Sequence, residues 1–115
     1  MEAKATGKYL RVSPQKARLV VDLIRGQNVG VAVDVLRFTK KRVAQEVIKI
    51  LQAAISNAEQ KSESVDVDEL VVSKAYVDEG PRMKRIRPAP MGRAYHYQRR
   101  MSHITVVVED RESQS

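Results

Sequence analysis

Seven of the 21 Lys and Arg residues in this 115-residue chain lie between Gly80 and His103, and none of its 14 Asp and Glu residues does. The net charge of +7 is therefore the charge of one segment, and the other residues are neutral as a set. Apolar alternation flanks the segment on both sides, and Pro88, Pro90 and Gly92 stand at its midpoint. Such a pattern reads as two strands joined by a hairpin over 76–104. Pro90 and Gly92 suit the second and fourth places of a type I turn. Each arm has about 14 residues, so at ~3.3 Å per residue the hairpin spans about 45 Å. No core this chain can build covers such a ribbon, and an isolated two-stranded ribbon is marginal in water. Mutual repulsion among Arg82, Lys84, Arg85, Arg87, Arg93, Arg99 and Arg100 opposes a compact arm until an opposite charge arrives. Nucleic-acid phosphate supplies that charge.

The rest of the chain, read as one domain over 1–115, is an ordinary small globular sequence. Its hydrophobic fraction of 43% and charged fraction of 30% fit a folded chain. The absence of Cys excludes disulfides and thiolate chemistry. No signal peptide and no run of about 18 apolar residues is visible, which predicts a soluble, cytosolic protein without a membrane partner.

Ala3 to Val12 reads as a short strand, with Leu10 and Val12 on one face. Ser13-Pro14 opens a helix, with Ser as N-cap and Pro at the first position. Ala17, Val20, Val21 and Ile24 form its stripe, and Gly26 its stop. A short second helix runs from near Asn28 or Gly30 to Phe38 and buries Ala32, Val33 and Leu36. Thr39 caps a third helix of about 20 residues, about 30 Å long, with the stripe Val43, Val47, Leu51, Ala54, Ile55, Ala58. Lys61 to Glu69 reads as a loop. Val65, Val67, Leu70 and Val72 open a strand, and Ala75 and Val77 fall on the opposite parity, so a bulge is expected near Ser73-Lys74. Ile104, Val106 and Val108 alternate in the last strand, and Glu109 to Ser115 reads as a solvated tail.

The residues offer little to catalysis. His96 and His103 are an odd number apart, so a strand puts them on opposite faces and they make a poor metal pair. Asp66, Asp68, Glu69, Asp78 and Glu79 read as a solvated loop and strand end. There is no Gly-rich phosphate loop, Ser–His–acid order or HExxH. No enzyme, metal or cofactor is expected. Arg outnumbers Lys six to one in the basic window. Guanidinium forks bind phosphate bidentately and stack on bases, which suits folded RNA. Tyr95 and Tyr97 share a strand face, either stacking on bases or covering the ribbon's stem.

Ser13-Pro14-Gln15-Lys16-Ala17-Arg18, Asp22 and Ile24-Arg25-Gly26 resemble the opening helix of the bacterial large-subunit ribosomal protein L twenty-two family. Asn57-Ala58-Glu59, Val77-Asp78-Glu79-Gly80-Pro81, Met83-Lys84-Arg85-Ile86, Gly92-Arg93-Ala94 and Ser102-His103-Ile104-Thr105-Val106-Val107-Val108 match in order, from about Ala3 to Asp110. The resemblance implies an α+β fold, three helices packed on a small antiparallel sheet with a long protruding β-hairpin. It implies a structural constituent of the large subunit that binds several domains of its RNA during assembly and contacts neighbouring ribosomal proteins. It further implies a hairpin tip that lines the nascent-peptide exit tunnel, and a chain that forms no homo-oligomer. Carried over residue by residue, Lys84, Arg85, Arg93 and His103 fall on the RNA-binding hairpin strings, and Lys16, Arg18 and Arg25 on the basic helix face. Arg82, Arg87, Arg99 and Arg100 complete the RNA-binding set by charge. The tip is Pro88, Ala89, Pro90, Met91 and Gly92. Here the chain departs from the family pattern: Ala89-Pro90-Met91 stand where a basic, a small and a basic residue are common, and Arg87 where an apolar one is. Ser56 and Gln60-Lys61 depart as well.

Two rival classes remain at this level. A free regulator would bind messages or duplex DNA and be scarce in ribosomes, which pelleting at high salt would reveal. A nucleic-acid enzyme would need a general base or metal cluster.

Overall fold

The computed structural model describes residues 1–62, 64–80, 83–88, 94–99 and 101–110, with the backbone path alone for 83–88 and 94–99. Its elements run β1 (Glu2–Leu10), α1 (Pro14–Val21), α2 (Val29–Phe38), α3 (Arg42–Lys61), a 3₁₀ turn (Val67–Glu69), β2 (Leu70–Glu79), β3 (Met83–Pro88), β4 (Ala94–Arg99) and β5 (Ser102–Asp110). Three helices pack on a three-stranded antiparallel sheet ordered β1-β5-β2, and β3 and β4 form a separate antiparallel ribbon. This is the expected α+β fold.

β5 is the middle strand. Ile104, Val106 and Val108 are fully buried, and so, on the opposite parity, are Thr105 and Val107. A strand buried on both faces needs such a near-continuous β-branched run. α3 lies against β1 and β5, α1 against β2, and α2 against α3. The α3 stripe is the core's spine: Val43, Val47, Leu51, Ala54 and Ala58 are buried, joined by Ala44 and Ile50. Ile55 is half-buried at its margin, as is Val33 on α2. Asn57 Nδ2 donates to the Lys4 carbonyl at 2.9 Å and Lys61 Nζ to that of Glu2 at 2.8 Å, so the end of α3 is tied to β1.

Several local expectations are corrected. β1 stops at Leu10, short of Val12. α1 ends at Val21, not at Gly26; Leu23 and Ile24 continue with i→i−3 hydrogen bonds to Val20 and Val21. Tightening the last turn this way keeps Ile24 buried with Ala17, Val20 and Val21. Gly26 then takes the left-handed conformation, φ +82°, that reverses the chain. Thr39 does not cap α3: its Oγ1 donates to the Val35 carbonyl at 2.7 Å, closing α2 instead. α3 begins at Arg42 behind Lys41, with no side-chain cap. The 61–69 segment contains a 3₁₀ turn, and the strand after it begins only at Leu70. Glu109 and Asp110 belong to β5, opposite Glu2 and Leu70, and are not tail. The bulge in β2 falls where parity placed it, between Val72 and Lys74.

The ribbon leaves this body at Gly80, whose N–H donates to the Met101 carbonyl at 2.8 Å. A Cβ on Gly80 would come within 3.1–3.2 Å of Met101, so a side chain there would push the two strands apart by a few tenths of an ångström. The radius of gyration is 17.5 Å, against about 13 Å for a compact chain of this length.

Candidate nucleic-acid interface

The β3–β4 register pairs Met83 with Arg99, Arg85 with Tyr97 and Arg87 with Tyr95. Strand parity therefore puts the positions of Arg85, Arg87, Arg99, Tyr95 and Tyr97 on one face of the ribbon, and those of Lys84, Ile86, Pro88 and His96 on the other. Three guanidinium-bearing positions interleaved with two aromatic ones suit phosphate forks and base stacking on the same surface. Arg82, Arg93, Arg100 and the tip residues Ala89, Pro90, Met91 and Gly92, with the expected turn, lie outside the described residues, as does 111–115.

The basic helix face divides. Lys16, next to the capped start of α1, is exposed; its N–H reaches the Ser13 Oγ at 3.4 Å. Arg18 and Arg25 instead turn to β2. Arg18 Nη2 donates to the Val77 carbonyl at 3.3 Å. Arg25 donates to the Ala75 carbonyl from Nε at 3.1 Å and Nη2 at 2.6 Å, and to Asp22 Oδ1 from Nη1 at 2.6 Å. Just below, Gly26 N–H donates to Val72 O and Val72 N–H to Gln27 O, both at 2.8 Å. The free edge of β2 is thus closed by two guanidinium groups and a short backbone bridge, which removes a template for strand addition. Arg18 and Arg25 hold the body together whatever else they touch.

His103 sits in β5, half-buried, directly below the ribbon. Between the pairs Gly7–Ile104 and Leu10–Ser102, Lys8 and Tyr9 both oppose this one residue, which makes a bulge. Tyr9 takes φ +58°, the only non-glycine positive φ among the described residues. A left-handed backbone costs a residue with a Cβ about 1–2 kcal/mol. Its N–H donates to His103 Nδ1 at 3.0 Å, and the two rings meet edge to face at 4.9 Å and 88°. His103 is thus engaged through Nδ1, leaving Nε2 as the nitrogen that carries its proton. Ser102, fully buried, donates from Oγ to the Val12 carbonyl at 2.7 Å and fixes the chain leaving β1. Sequence reasoning missed this arrangement; the one available signal was an aromatic residue placed two positions after Gly7 in an otherwise alternating strand.

No group of His, Asp and Glu among the described residues could hold a metal ion, and no described helix is long and apolar enough to cross a membrane.

Residues 5–109 match the family described as Ribosomal protein L22p/L17e. The chain is 63% identical over 113 residues to the large ribosomal subunit protein uL22 of Solibacter usitatus, covering 98% of this chain and 100% of that protein. It is 53% identical to the uL22 of Leptospira biflexa, over 97% of both chains, and 52% identical to that of Desulfitobacterium hafniense, over 96% of both.

The closed β2 edge generates a test. Arg25→Ala should lower the unfolding free energy in urea by about 1 kcal/mol, because it unpairs the Ala75 carbonyl. An unchanged denaturation midpoint would show that Arg25 is no structural tie.

Proposed function

This chain belongs to the ribosomal protein L22p/L17e family, and from that premise we propose that it binds and organises large-subunit ribosomal RNA during assembly, with its hairpin tip lining the nascent-peptide exit tunnel. Family membership makes it a structural constituent of the large ribosomal subunit, working in the cytoplasm and not as an enzyme. The finer reading rests on one observation: the β3–β4 register gathers Arg85, Arg87 and Arg99 with Tyr95 and Tyr97 on one face, within a segment that holds no carboxylate. A segment of that composition repels itself and contains no acidic residue of its own. RNA answers both needs, since phosphates neutralise the guanidinium groups and unpaired bases stack on the rings.

The whole chain, 1–115, then acts as one domain whose arm, 76–104, reaches into RNA. Arg82, Lys84, Arg93 and Arg100 add charge along the arm, and Lys16 and His103 extend the contact onto the body. Several RNA domains and neighbouring ribosomal proteins are its partners. It needs no membrane and no second copy of itself. At the tip, Ala89-Pro90-Met91 is uncharged. It attracts RNA phosphate weakly and gives a passing nascent chain a stiff, uncharged wall.

Reversing Arg85, Arg93 and Arg99 to Glu should weaken binding to large-subunit RNA by at least about 100-fold while the unfolding transition of the helical body stays in place. Equal loss of stability and of binding would contradict the division between body and arm. Replacing Ala89 to Met91 by Gly-Ser-Gly should leave incorporation into subunits nearly unchanged and alter stalling on arrest peptides or sensitivity to tunnel-blocking macrolides. Failure of that protein to enter subunits would make the tip an assembly contact instead.

A further inference from the structure

The last residues of β1 and the first two turns of α3 enclose a cleft of about 400 Å3, set beside the foot of the ribbon. That volume lies within the ~300–1,000 Å3 of small-ligand sites. Its walls have three kinds of chemistry. Tyr9, 60% exposed, contributes its ring although its backbone is held in a left-handed bulge and the ring meets that of His103 edge to face. Arg11 and Arg42 contribute guanidinium groups, both exposed and neither with an ion-pair partner among the described residues. Glu46, half-buried, contributes a carboxylate that its neighbour Lys49 meets only at 3.9 Å. Leu10, Val12 and Val43 line the remainder.

Strain, bracing and exposure together call for an explanation. A tyrosine whose only task is to fill the core would be buried, and one whose only task is to turn the chain would be a glycine. Bulges re-aim side chains next to functional sites, and unfavourable φ persists there because the surroundings impose it. Here the imposing group is His103, through the Tyr9 N–H and the edge-to-face contact. The product is a fixed aromatic platform opening on a basic cleft.

We propose that this cleft takes one unstacked nucleotide of the ribosomal RNA: the base stacks on Tyr9, Arg11 and Arg42 take the flanking phosphates, and the Glu46 carboxylate accepts a hydrogen bond from an exocyclic amine of the base. The proposal deepens the RNA-binding reading and rests on it. Each element of a nucleotide finds its complement: a π-face for a π-face, guanidinium for phosphate, and a carboxylate for an amine donor. The acceptor selects a base that carries an amino group and disfavours uracil. The first turn of α3, to which Arg42 and Val43 belong, has no side-chain cap, so its N–H groups add to the positive character of the same wall. Tyr9 thereby anchors RNA on the body itself, beside the foot of the ribbon.

The test is equilibrium binding of the full chain to a bacterial large-subunit RNA transcript, as a function of salt, together with ultraviolet cross-linking of the native complex. Tyr9→Gly removes the ring but keeps a backbone that glycine adopts freely. It should weaken binding about tenfold without altering the salt slope, since stacking releases no counterions. Tyr9→Phe should bind within about twofold of native. Arg11→Gln with Arg42→Gln should make the log–log slope shallower by about two contacts. Cross-linking should leave a nucleotide adduct on Tyr9. Native affinity for Tyr9→Gly with no adduct at residue 9, while the native chain binds the transcript, would overturn the cleft proposal and leave the arm reading intact. Native RNA affinity for Tyr9→Gly with loss of a neighbouring ribosomal protein from the particle would overturn it too, by making the cleft a protein contact. Failure of the native chain itself to bind the transcript would remove both.

Discussion

The fold depends on the pairing of β5 along both its edges. One strand, Ser102–Asp110, carries β1 on one side and β2 on the other, and its apolar residues meet all the layers of the core. Both partners need a bulge to fit it: β1 at Lys8-Tyr9 and β2 at Ser73. The two bulges do different work. At β2, Ser73 leaves the ladder and donates from Oγ to the Val107 carbonyl at 3.3 Å, so the strand shifts parity and still buries Ala75 and Val77. At β1, the extra residue turns an aromatic ring outward beside the exit of the ribbon. Because β2 and β5 also feed the ribbon, the register of the body fixes where the ribbon starts, at the Gly80–Met101 hydrogen bond.

Charge is distributed to match. The helical body encloses its apolar stripes with mixed-sign surface, and its described ion pairs include two local ones, Arg25–Asp22 and Lys49–Glu46, and one that joins the N-terminus to Asp110 across the β1–β5 pair. Exposed pairs of this kind contribute little to stability, generally under about 1 kcal/mol each. Stability comes from the β5-centred core and from hydrogen bonds that close edges. In the proposed function the affinity for a polyanion is assigned to the arm's cations, apart from that core. Separating the two lets the arm accumulate like charge without unfolding the body.

The parts that periodicity controls were legible in the sequence. The α3 stripe, the Ser13 cap, the buried set of α1 and the Ser73 bulge follow from spacing and parity, and the family resemblance carried the topology. What was misread depended on contacts distant in the chain. Thr39 looks like a cap for α3, but the Val35 carbonyl lies within its reach and takes it. Spacing along α1 also does not show that Arg18 and Arg25, read as a basic helix face, donate to edge carbonyls of β2 some 50 to 60 residues away in sequence. Tyr9 looks like one more strand residue, because its left-handed turn is enforced by His103, 94 residues away. Local patterns predict elements; they do not tell which polar side chain a neighbouring strand will claim.

The central claim is that the cations between Gly80 and His103 supply the RNA affinity of a body that is neutral without them. The most direct measurement is the dependence of affinity on salt for the native chain and a large-subunit RNA fragment. The arm's seven cations should give log affinity against log salt a slope of about −5 to −6, and the two phosphate contacts proposed for Arg11 and Arg42 should steepen it further. A slope shallower than about −2 would contradict the account, because the charge cluster would then not be the binding element.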